Sequence, residues 1–383
     1  MPLKRKTAIV GTAILAQQEG DPRSLEELLY DVVQAALKDA GMVIDDIDGI
    51  VVGSNDQYDG RAIAVMMASG SVGGVDRDIL STPSAGEHAL VMSTLRVASG
   101  LFETHLVVSW SPTEASSLSE VQRLGVDPYF HRGLPMDENA GTAMQAIAMT
   151  AMTPELHDLA TRVAQHSRAS GARAQAGGAL KSEPLGRLPF PLDDGMISAP
   201  VTGAVAMVIA SDAYVAERNL ESVAWLNGMG WATEAGYLGD RDLTKAQALA
   251  VARDRAYDEA GLSAPRNQID VAEVTDVSPY QELLVSDVLG LSPRANWEVD
   301  VATGVFLPDS DLRMNPSGGV ACFNPVFCCG LVRVAEAANQ VRGTAGAHQV
   351  QGVKTAIAHA ASGFAMMYQS VFVLGAKPKG AVA

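Results

Sequence analysis

Residues 315–330 read Asn-Pro-Ser-Gly-Gly-Val-Ala-Cys-Phe-Asn-Pro-Val-Phe-Cys-Cys-Gly, a glycine-rich turn and an Asn-Pro pair placed before a long amphipathic segment. The glycines allow the backbone to approach a ligand closely. A helix that begins after Pro325 would present unpaired backbone N–H groups, which favour negative charge. The stretch therefore predicts a ligand-binding loop at the N-terminus of a helix.

The chain repeats one α/β unit. A predicted helix that ends at Gly41 leads through an acidic turn to a strand over 50–52, and a second helix that ends at Gly261 leads to a strand over 271–274. Glycine is typical of helix C-termini, and alternating helices and strands predict an α/β fold. Later segments correspond too: helices 86–99 and 326–341, strands 104–108 and 353–358, and Gly-led closing strands 203–210 and 363–374.

The pattern loosens between about residues 111 and 200, where prolines recur and residues 169–180 are rich in Ala and Gly. This composition predicts an insertion inside the first half. Within it we expect a helix over 153–170, capped by Thr153. The predicted domains are an N-terminal half of residues 1–218, which includes the insertion, and a C-terminal half of residues 219–383.

Composition limits the classes of partner. The chain has 383 residues, 48% of them hydrophobic, so it can bury a large core, and its formal charge of −16 argues against nucleic acid or an anionic membrane as partner. Three cysteines and seven histidines show no disulfide framework and no metal-site spacing. There is no apolar signal core and no run as long as a membrane span. We expect a cytoplasmic protein without a metal or a permanently bound cofactor.

The order and spacing of these segments resemble the thiolase superfamily, in particular the lipid-transfer (SCP2-type) thiolases, over essentially the whole chain. The resemblance implies the thiolase fold: two similar βαβαβαββ halves stacked as five α/β/α/β/α layers, with the insertion forming a loop domain over the acyl and pantetheine tunnel. It also implies a coenzyme A thioester as substrate and a homodimer.

The nucleophilic cysteine of thiolases is missing. The family carries it in a Cys-x-Ser-Gly stretch that opens a helix, and the corresponding residues here are Pro83-Ser84-Ala85-Gly86. Pro83, at the cysteine position, has neither a nucleophile nor an N–H. Ser84 is interpreted as the cap of this helix, with nucleophile as the minor alternative. Ser84 and Gly86 are candidate substrate-binding residues.

The second motif, His-Asp-Cys-Phe in lipid-transfer thiolases, corresponds to residues 275–278, Thr-Asp-Val-Ser. Thr275 replaces the histidine that polarises the thioester, and its hydroxyl can donate a hydrogen bond but does not titrate near neutral pH. Asp276 is interpreted as a structural acceptor for backbone amides, with a role as base as the alternative. Tyr280, close to this motif, is a candidate substrate contact.

The third and fourth motifs supply the best candidates. Asn324-Pro325 matches the Asn-Pro form of the third motif, and its amide can hold a water or donate to an oxyanion. The fourth motif is a histidine in lipid-transfer relatives, and His359 lies here in a predicted turn of small residues, with room to face a pocket. The alternative for His359 is a buried core residue. Further candidates for substrate binding are Gly318, Gly319, Ser362 and Gly363.

Three functions remain compatible with these residues. The first is retro-aldol cleavage of a β-hydroxyacyl-CoA, which needs no covalent nucleophile, with His359 as base or acid and Asn324, aided by Thr275, stabilising the enolate. With this function the chain resembles steroid side-chain aldolases, which work with a small OB-fold (DUF35-type) partner. Those enzymes carry tyrosines at the catalytic motifs, and this chain does not. The second is a non-catalytic acyl-CoA or lipid carrier or scaffold. The third is an acyltransferase that uses Ser84, Cys328 or Cys329, although packing is the expected role of both cysteines.

Overall fold

A computed structural model describes residues 5–18, 20–83, 85–174, 185–304 and 313–380. Ten strands form one mixed sheet, in the order β3-β2-β4-β5-β1-β6-β10-β9-β7-β8. The strands are β1 (Thr7–Ala16), β2 (Gly49–Ser54), β3 (Asp78–Pro83), β4 (Thr104–Ser111), β5 (Gly203–Ser211), β6 (Ala224–Thr233), β7 (Val271–Val274), β8 (Arg313–Met314), β9 (Thr355–Ser362) and β10 (Tyr368–Gly375).

The strand order confirms the repeat. In each half the second strand pairs in parallel with the third and fourth, and the fifth pairs antiparallel with the fourth and first. The halves join through a short antiparallel pairing of β1 with β6, between Ala8 and Trp225 and between Ile9 and Ala224. The boundary between residues 218 and 219 lies just before β6 and stays a prediction.

The α-helices within the described ranges differ widely in length. They are α1 (Leu25–Ala40), α2 (Asp56–Asp59), α3 (Ala64–Ala68), α4 (Gly86–Ala98), α5 (Leu118–Gly125), α6 (Glu138–Met152), α7 (Leu156–Ala174), α8 (Asp212–Glu217), α9 (Gln247–Ala260), α10 (Pro265–Gln268), α11 (Pro279–Val288), α12 (Trp297–Ala302) and α13 (Cys329–Arg342). Short 3₁₀ turns lie at Ile44–Asp46, Leu238–Asp240, Arg294–Asn296, Val326–Cys328 and Gly346–His348. None of these helices has the length and apolar composition needed to cross a bilayer.

Two helices form the central layer. α4 and α13 pack against each other, and α13 contacts strands of both halves. One hydrophobic core therefore joins Leu90 of α4, Leu331 of α13, Val205 of β5 and Phe372 of β10. α1 covers the outer face of the first half, and α9 and α11 lie on that of the second. The two halves of the ten-stranded sheet thus lie on either side of α4 and α13, and with the outer helices they give the predicted five-layer arrangement.

The inserted segment forms helices that pack on the second half. α6 and α7 lie against α11, and Leu159 and Val163 share a core with Leu284. The predicted start of the helix over 153–170 is wrong. The N–H of Thr153 donates to the carbonyls of Met149 and Thr150, so this residue ends α6, and α7 begins three residues later.

The closing strand of the second half is also shorter than predicted. Residues 363–367 form a turn before β10, because Gly363, Ala365 and Met366 have left-handed φ values of 74°, 48° and 59°. A strand needs negative φ, so this stretch cannot pair. The turn instead carries Gly363, Phe364 and Met367 to the candidate site.

Candidate active site

Two adjoining cavities lie at the N-terminal ends of α4 and α13. They share Gln122, Glu138, Phe327 and Gly363. The larger, which we name the apolar cavity, has about 350 Å³. Its other lining residues are Asn55, Pro83, His88, Val121, Gly125, Phe364, Met367 and Tyr368.

The smaller cavity, of about 70 Å³, collects the sequence motifs and is named the motif cavity. Thr275, Asn324, Cys329, Ser362 and Gly363 all line it. Thr275 follows β7 and Ser362 ends β9, and because these strands are parallel, their carboxyl ends lie at the same edge of the sheet. The structure thus brings together four of the predicted site residues: Thr275, Asn324, Ser362 and Gly363.

Asn324 is oriented by three contacts. Its Nδ2 donates to the Ser198 carbonyl at 2.9 Å, and its Oδ1 accepts from the backbone N–H of Val326 at 3.2 Å and from the Cys329 thiol at 3.4 Å. An amide carries two N–H bonds. The bond to Ser198 uses one of them, so the second can serve a ligand oxygen in the motif cavity.

The adjacent cysteines, Cys328 and Cys329, are free and buried. Burial raises the pKa of Cys329 well above its ordinary value, and burial likewise raises the pKa of Cys328. The Cys328 thiol donates to the Pro325 carbonyl at 3.1 Å. Because the thiolate is the nucleophilic form, this environment favours packing and hydrogen bonding over covalent catalysis.

Hydroxyl groups in the motif cavity are engaged with the protein. Thr275 Oγ1 donates to the His359 carbonyl at 3.1 Å and accepts from the N–H of Ala361 at 3.3 Å. Ser362 Oγ donates at 2.9 Å to Oε1 of Glu87, a carboxyl buried in the first turn of α4. Burial raises the pKa of Glu87 above its usual range. Through its two bonds, Thr275 ties the end of β7 to β9, while Ser362 ties the end of β9 to α4.

His359 lies in the middle of β9 and not in a turn, so its predicted placement is wrong. It is fully buried, lines neither cavity, and shares the strand face of Ile357 and Ala361. Its Nε2 is 2.7 Å from Gln369 Oε1, and burial lowers its pKa to about 4. Because Gln369 Nε2 donates to the Met366 carbonyl at 2.7 Å, the oxygen faces His359, and Nε2 carries the proton. The role of His359 as base stays a prediction. This geometry favours a structural role, in which His359 positions the 363–367 turn through Gln369.

Asp276 lies behind the site in a buried charge network. Its Oδ1 accepts from the N–H of Val320 at 2.6 Å, which matches the structural-acceptor interpretation. Burial raises its pKa to about 7, although nearby Arg333 opposes the shift. Arg333 donates to Glu273 Oε2 at 2.7 Å and to Ser317 Oγ at 2.6 Å, so the network holds the glycine-rich loop in place.

Gly318 and Gly319 serve this loop and do not line either cavity. Both have left-handed φ, 92° and 66°. A Cβ on Gly319 would lie 2.3 Å from Asp276 Oδ1, and one on Gly318 would lie 2.3 Å from the Cα of Gly171. Real Cβ atoms do not tolerate such contacts, so both glycines are required by packing.

The remaining predicted residues lie elsewhere. Tyr280 is fully buried, with its hydroxyl 2.6 Å from Nδ1 of His157, and it lines neither cavity. Gly86 opens α4, where a Cβ would come within 2.6 Å of Ser109 Oγ. Ser84 lies outside the described residues.

Sequence reasoning missed Glu138 and His88. Glu138 begins α6 and lines both cavities, and His88 lines the apolar cavity, with its ring edge-to-face with Tyr368 at 5.6 Å. Burial, reinforced by Asp137, raises the pKa of Glu138 to about 7. The only sequence signal was an acidic pair at the start of a run of small residues. In the described part of the chain, no three His, Cys, Asp or Glu side chains form a metal-binding group.

Comparisons with known proteins agree with this fold. Residues 231–376 match the family described as Thiolase C-terminal domain-like. Sterol carrier protein 2 of Oryctolagus cuniculus is 24% identical over 372 residues, which cover 88% of this chain and 66% of that protein. Sterol carrier protein 2 of Homo sapiens is 32% identical over 163 residues, covering 41% of this chain and 29% of that protein. The chain thus spans less than two thirds of these relatives.

Two solved structures resemble the whole chain. The structure of an Ltp2-ChsH2(DUF35) aldolase superimposes with a TM-score of 0.79 at 21% identity, covering 99% of this chain and 100% of that one. A monomeric SCP2-thiolase-like protein type 1 from Mycobacterium smegmatis gives a TM-score of 0.70 at 17% identity, covering 100% of this chain and 80% of that one. At these identities the likeness establishes the fold.

The neutral state of His359 makes a prediction about stability. Between pH 6.5 and about 4 an unfolded chain protonates this residue while the folded chain does not, so its contribution is present above pH 6.5 and lost as the pH falls. The loss is on the order of 3 kcal/mol. We expect the His359→Gln variant to lack this loss, so the difference in free energy of unfolding between wild type and variant should shrink from pH 7 to pH 4 in urea denaturation. A difference independent of pH would contradict the assignment.

Proposed function

We propose that this chain, which belongs to the thiolase superfamily and to its lipid-transfer branch, is an acyl-CoA-processing carbon–carbon lyase that works without a covalent nucleophile. The reaction is retro-aldol cleavage of a β-hydroxyacyl-CoA. A base takes the β-hydroxyl proton, the Cα–Cβ bond breaks, and the thioester enolate receives the electron pair. Hydrogen-bond donors at the thioester oxygen stabilise that enolate.

The observation that carries the proposal is the composition of the motif cavity. It offers an oriented amide on Asn324, with the Cys329 thiol beside it held as a neutral donor. At the position of the thiolase cysteine stands Pro83, which lines the neighbouring apolar cavity. A site with donors for a thioester oxygen and no activated nucleophile fits enolate chemistry better than acyl transfer.

The apolar cavity supports a hydrophobic acyl group. Phe327, Phe364, Met367 and Tyr368 give it large apolar walls, and its volume of about 350 Å³ falls in the range of small-ligand sites. The coenzyme A thioester would then lie toward the motif cavity, where the acyl carbonyl meets Asn324. No permanently bound cofactor is needed for this chemistry.

A non-catalytic acyl-CoA or lipid carrier is the second candidate. It is favoured by Thr275, which occupies the position of the polarising histidine and donates its hydroxyl hydrogen bond to the backbone carbonyl of His359. The acyltransferase alternative is weaker, because burial raises the pKa of Cys328 and Cys329 and disfavours their thiolates.

We also propose an assembly. The structurally similar Ltp2-ChsH2(DUF35) aldolase suggests a small DUF35-type partner.

The expected homodimer would use β3, an edge strand of the sheet, where Leu80 is 39% exposed and the nearby Met92 40%. Sedimentation of the purified chain should give about twice 40.1 kDa. A single species at the monomer mass would contradict the homodimer. The cytoplasmic location stays a prediction.

The lyase proposal predicts turnover of β-hydroxyacyl-CoA to a carbonyl product and a shorter acyl-CoA, measured by chromatography. The Asn324→Ala variant should lose about 100-fold in kcat with little change in KM, because it removes a donor to the enolate. The exposed Asn296→Ala change is the matched control and should leave kcat unchanged. Undiminished turnover by Asn324→Ala, or none by wild type with short, long and branched β-hydroxyacyl-CoA substrates, would contradict the proposal.

A further inference from the structure

We infer that Glu138 is the proton-transfer residue of this site, taking the proton from the β-hydroxyl and returning it to the α-carbon. The inference rests on the proposed lyase function and assigns its acid–base step to the inserted segment, outside the four sequence motifs. Three independent features of the structure carry it.

The first feature is position. Among the residues that line both cavities, Glu138 carries the single carboxyl group, and neither lining contains a Lys or Arg within the described residues. A β-hydroxyacyl thioester with its carbonyl at Asn324 and its acyl group in the apolar cavity must place its β-carbon where the cavities meet. That junction is where Glu138 lies.

The second feature is the support of the side chain. Gln122, on α5, donates through Nε2 to Glu138 Oε2 at 2.7 Å and accepts through Oε1 from the Glu138 backbone N–H at 3.3 Å. Asp137 caps the same helix by accepting from the N–H of Ala140 at 3.0 Å. These bonds fix the carboxyl group at the cavity wall while leaving Oε1 for a ligand. A catalytic base needs such a fixed orientation.

The third feature is the electrostatic environment. His88 of α4, Tyr368 of β10 and Cys329 of α13 are the titratable groups that line the cavities with Glu138, and Asp137 precedes it as the N-cap of α6. Burial and Asp137 together raise its pKa to about 7, against the bond from Gln122. Both protonation states are then populated near neutral pH, which suits a group that must accept and return a proton.

Other titratable groups are less well placed. His359 and Asp276 line neither cavity. Glu87 accepts from Ser362 and is absent from both linings. His88 lines the apolar cavity alone, away from the donors around Asn324.

The step balances without a co-reactant. The Glu138 carboxylate accepts the β-hydroxyl proton, the oxygen lone pair forms the carbonyl, and the Cα–Cβ pair moves into the thioester enolate. The resulting carboxylic acid then protonates the α-carbon of the enolate. The products are an aldehyde or ketone and an acyl-CoA, and Glu138 returns to its carboxylate form.

The experiment compares wild type with Glu138→Gln, which keeps the shape and can still accept from Gln122 but cannot carry the proton. The exposed Glu120→Gln change on α5 is the matched control. Two rates are measured across pH 5.5–8.5: turnover of 3-hydroxyacyl-CoA substrates, and α-deuterium uptake by acetyl-CoA and propionyl-CoA in D₂O. Calorimetry measures the affinity of each variant for acyl-CoA, and circular dichroism verifies that each variant folds. Glu138→Asp is the second variant, should Glu138→Gln not fold.

We expect Glu138→Gln to lose at least about 100-fold in both rates with unchanged affinity, and wild-type turnover to fall as the pH drops below about 7. If wild type exchanges α-protons and Glu138→Gln does not, Glu138 is the base even if no substrate is cleaved, and only the lyase function fails. If wild type cleaves substrate and Glu138→Gln cleaves it equally well, the lyase function stands and the Glu138 inference falls. If wild type shows neither rate, both fall.

Discussion

The close approach of two helix starts is the constraint on which the site depends. Gly86 opens α4 where a Cβ would lie 3.0 Å from the Cβ of Leu331 on α13, and a Cβ on Gly330 would lie 2.6 Å from both Ala360 of β9 and the carboxylate of Glu87. With glycine at both positions, the first turns of α4 and α13 lie side by side against β9. The cavities occupy the space that these first turns leave beneath the inserted helices.

Around this pair, a buried ionic network supports the loop that leads to Asn324, and a hydrogen-bonded turn forms part of the cavity wall. Arg333 binds Glu273 and Ser317 behind the glycine-rich loop, and a buried Arg with satisfied carboxylate partners makes such a loop costly to move. On the other side, the bond between His359 and Gln369 supports the turn that carries Gly363 and Phe364. The side chains that line the two cavities thus include one carboxyl group, Glu138, and no Lys or Arg among the described residues.

The repeat and the C-termini of α1, α9 and α13 could be predicted from the sequence, because Gly41, Gly261 and Gly343 take the left-handed conformation that ends a helix. His359 could not be placed, because its small-residue surroundings resemble a turn, whereas pairing with β10 makes them a strand. Glu138 was missed for a similar reason. Its orientation comes from Gln122 on another helix and its raised pKa comes mainly from burial, and local sequence encodes neither. Asn324 was found because its position before a proline and a helix is a local signal.

If this thiolase-like chain handles acyl-CoA without a covalent intermediate, no acyl group should ever become attached to it. Intact mass spectrometry under native and then denaturing conditions tests for such an acyl group, after the chain is incubated with acetyl-CoA and with a longer acyl-CoA. We predict a complex with the intact thioester under native conditions that disappears on denaturation and leaves the chain at its unmodified mass. An acyl adduct that survives denaturation would reveal a nucleophile in this site and contradict the proposed chemistry.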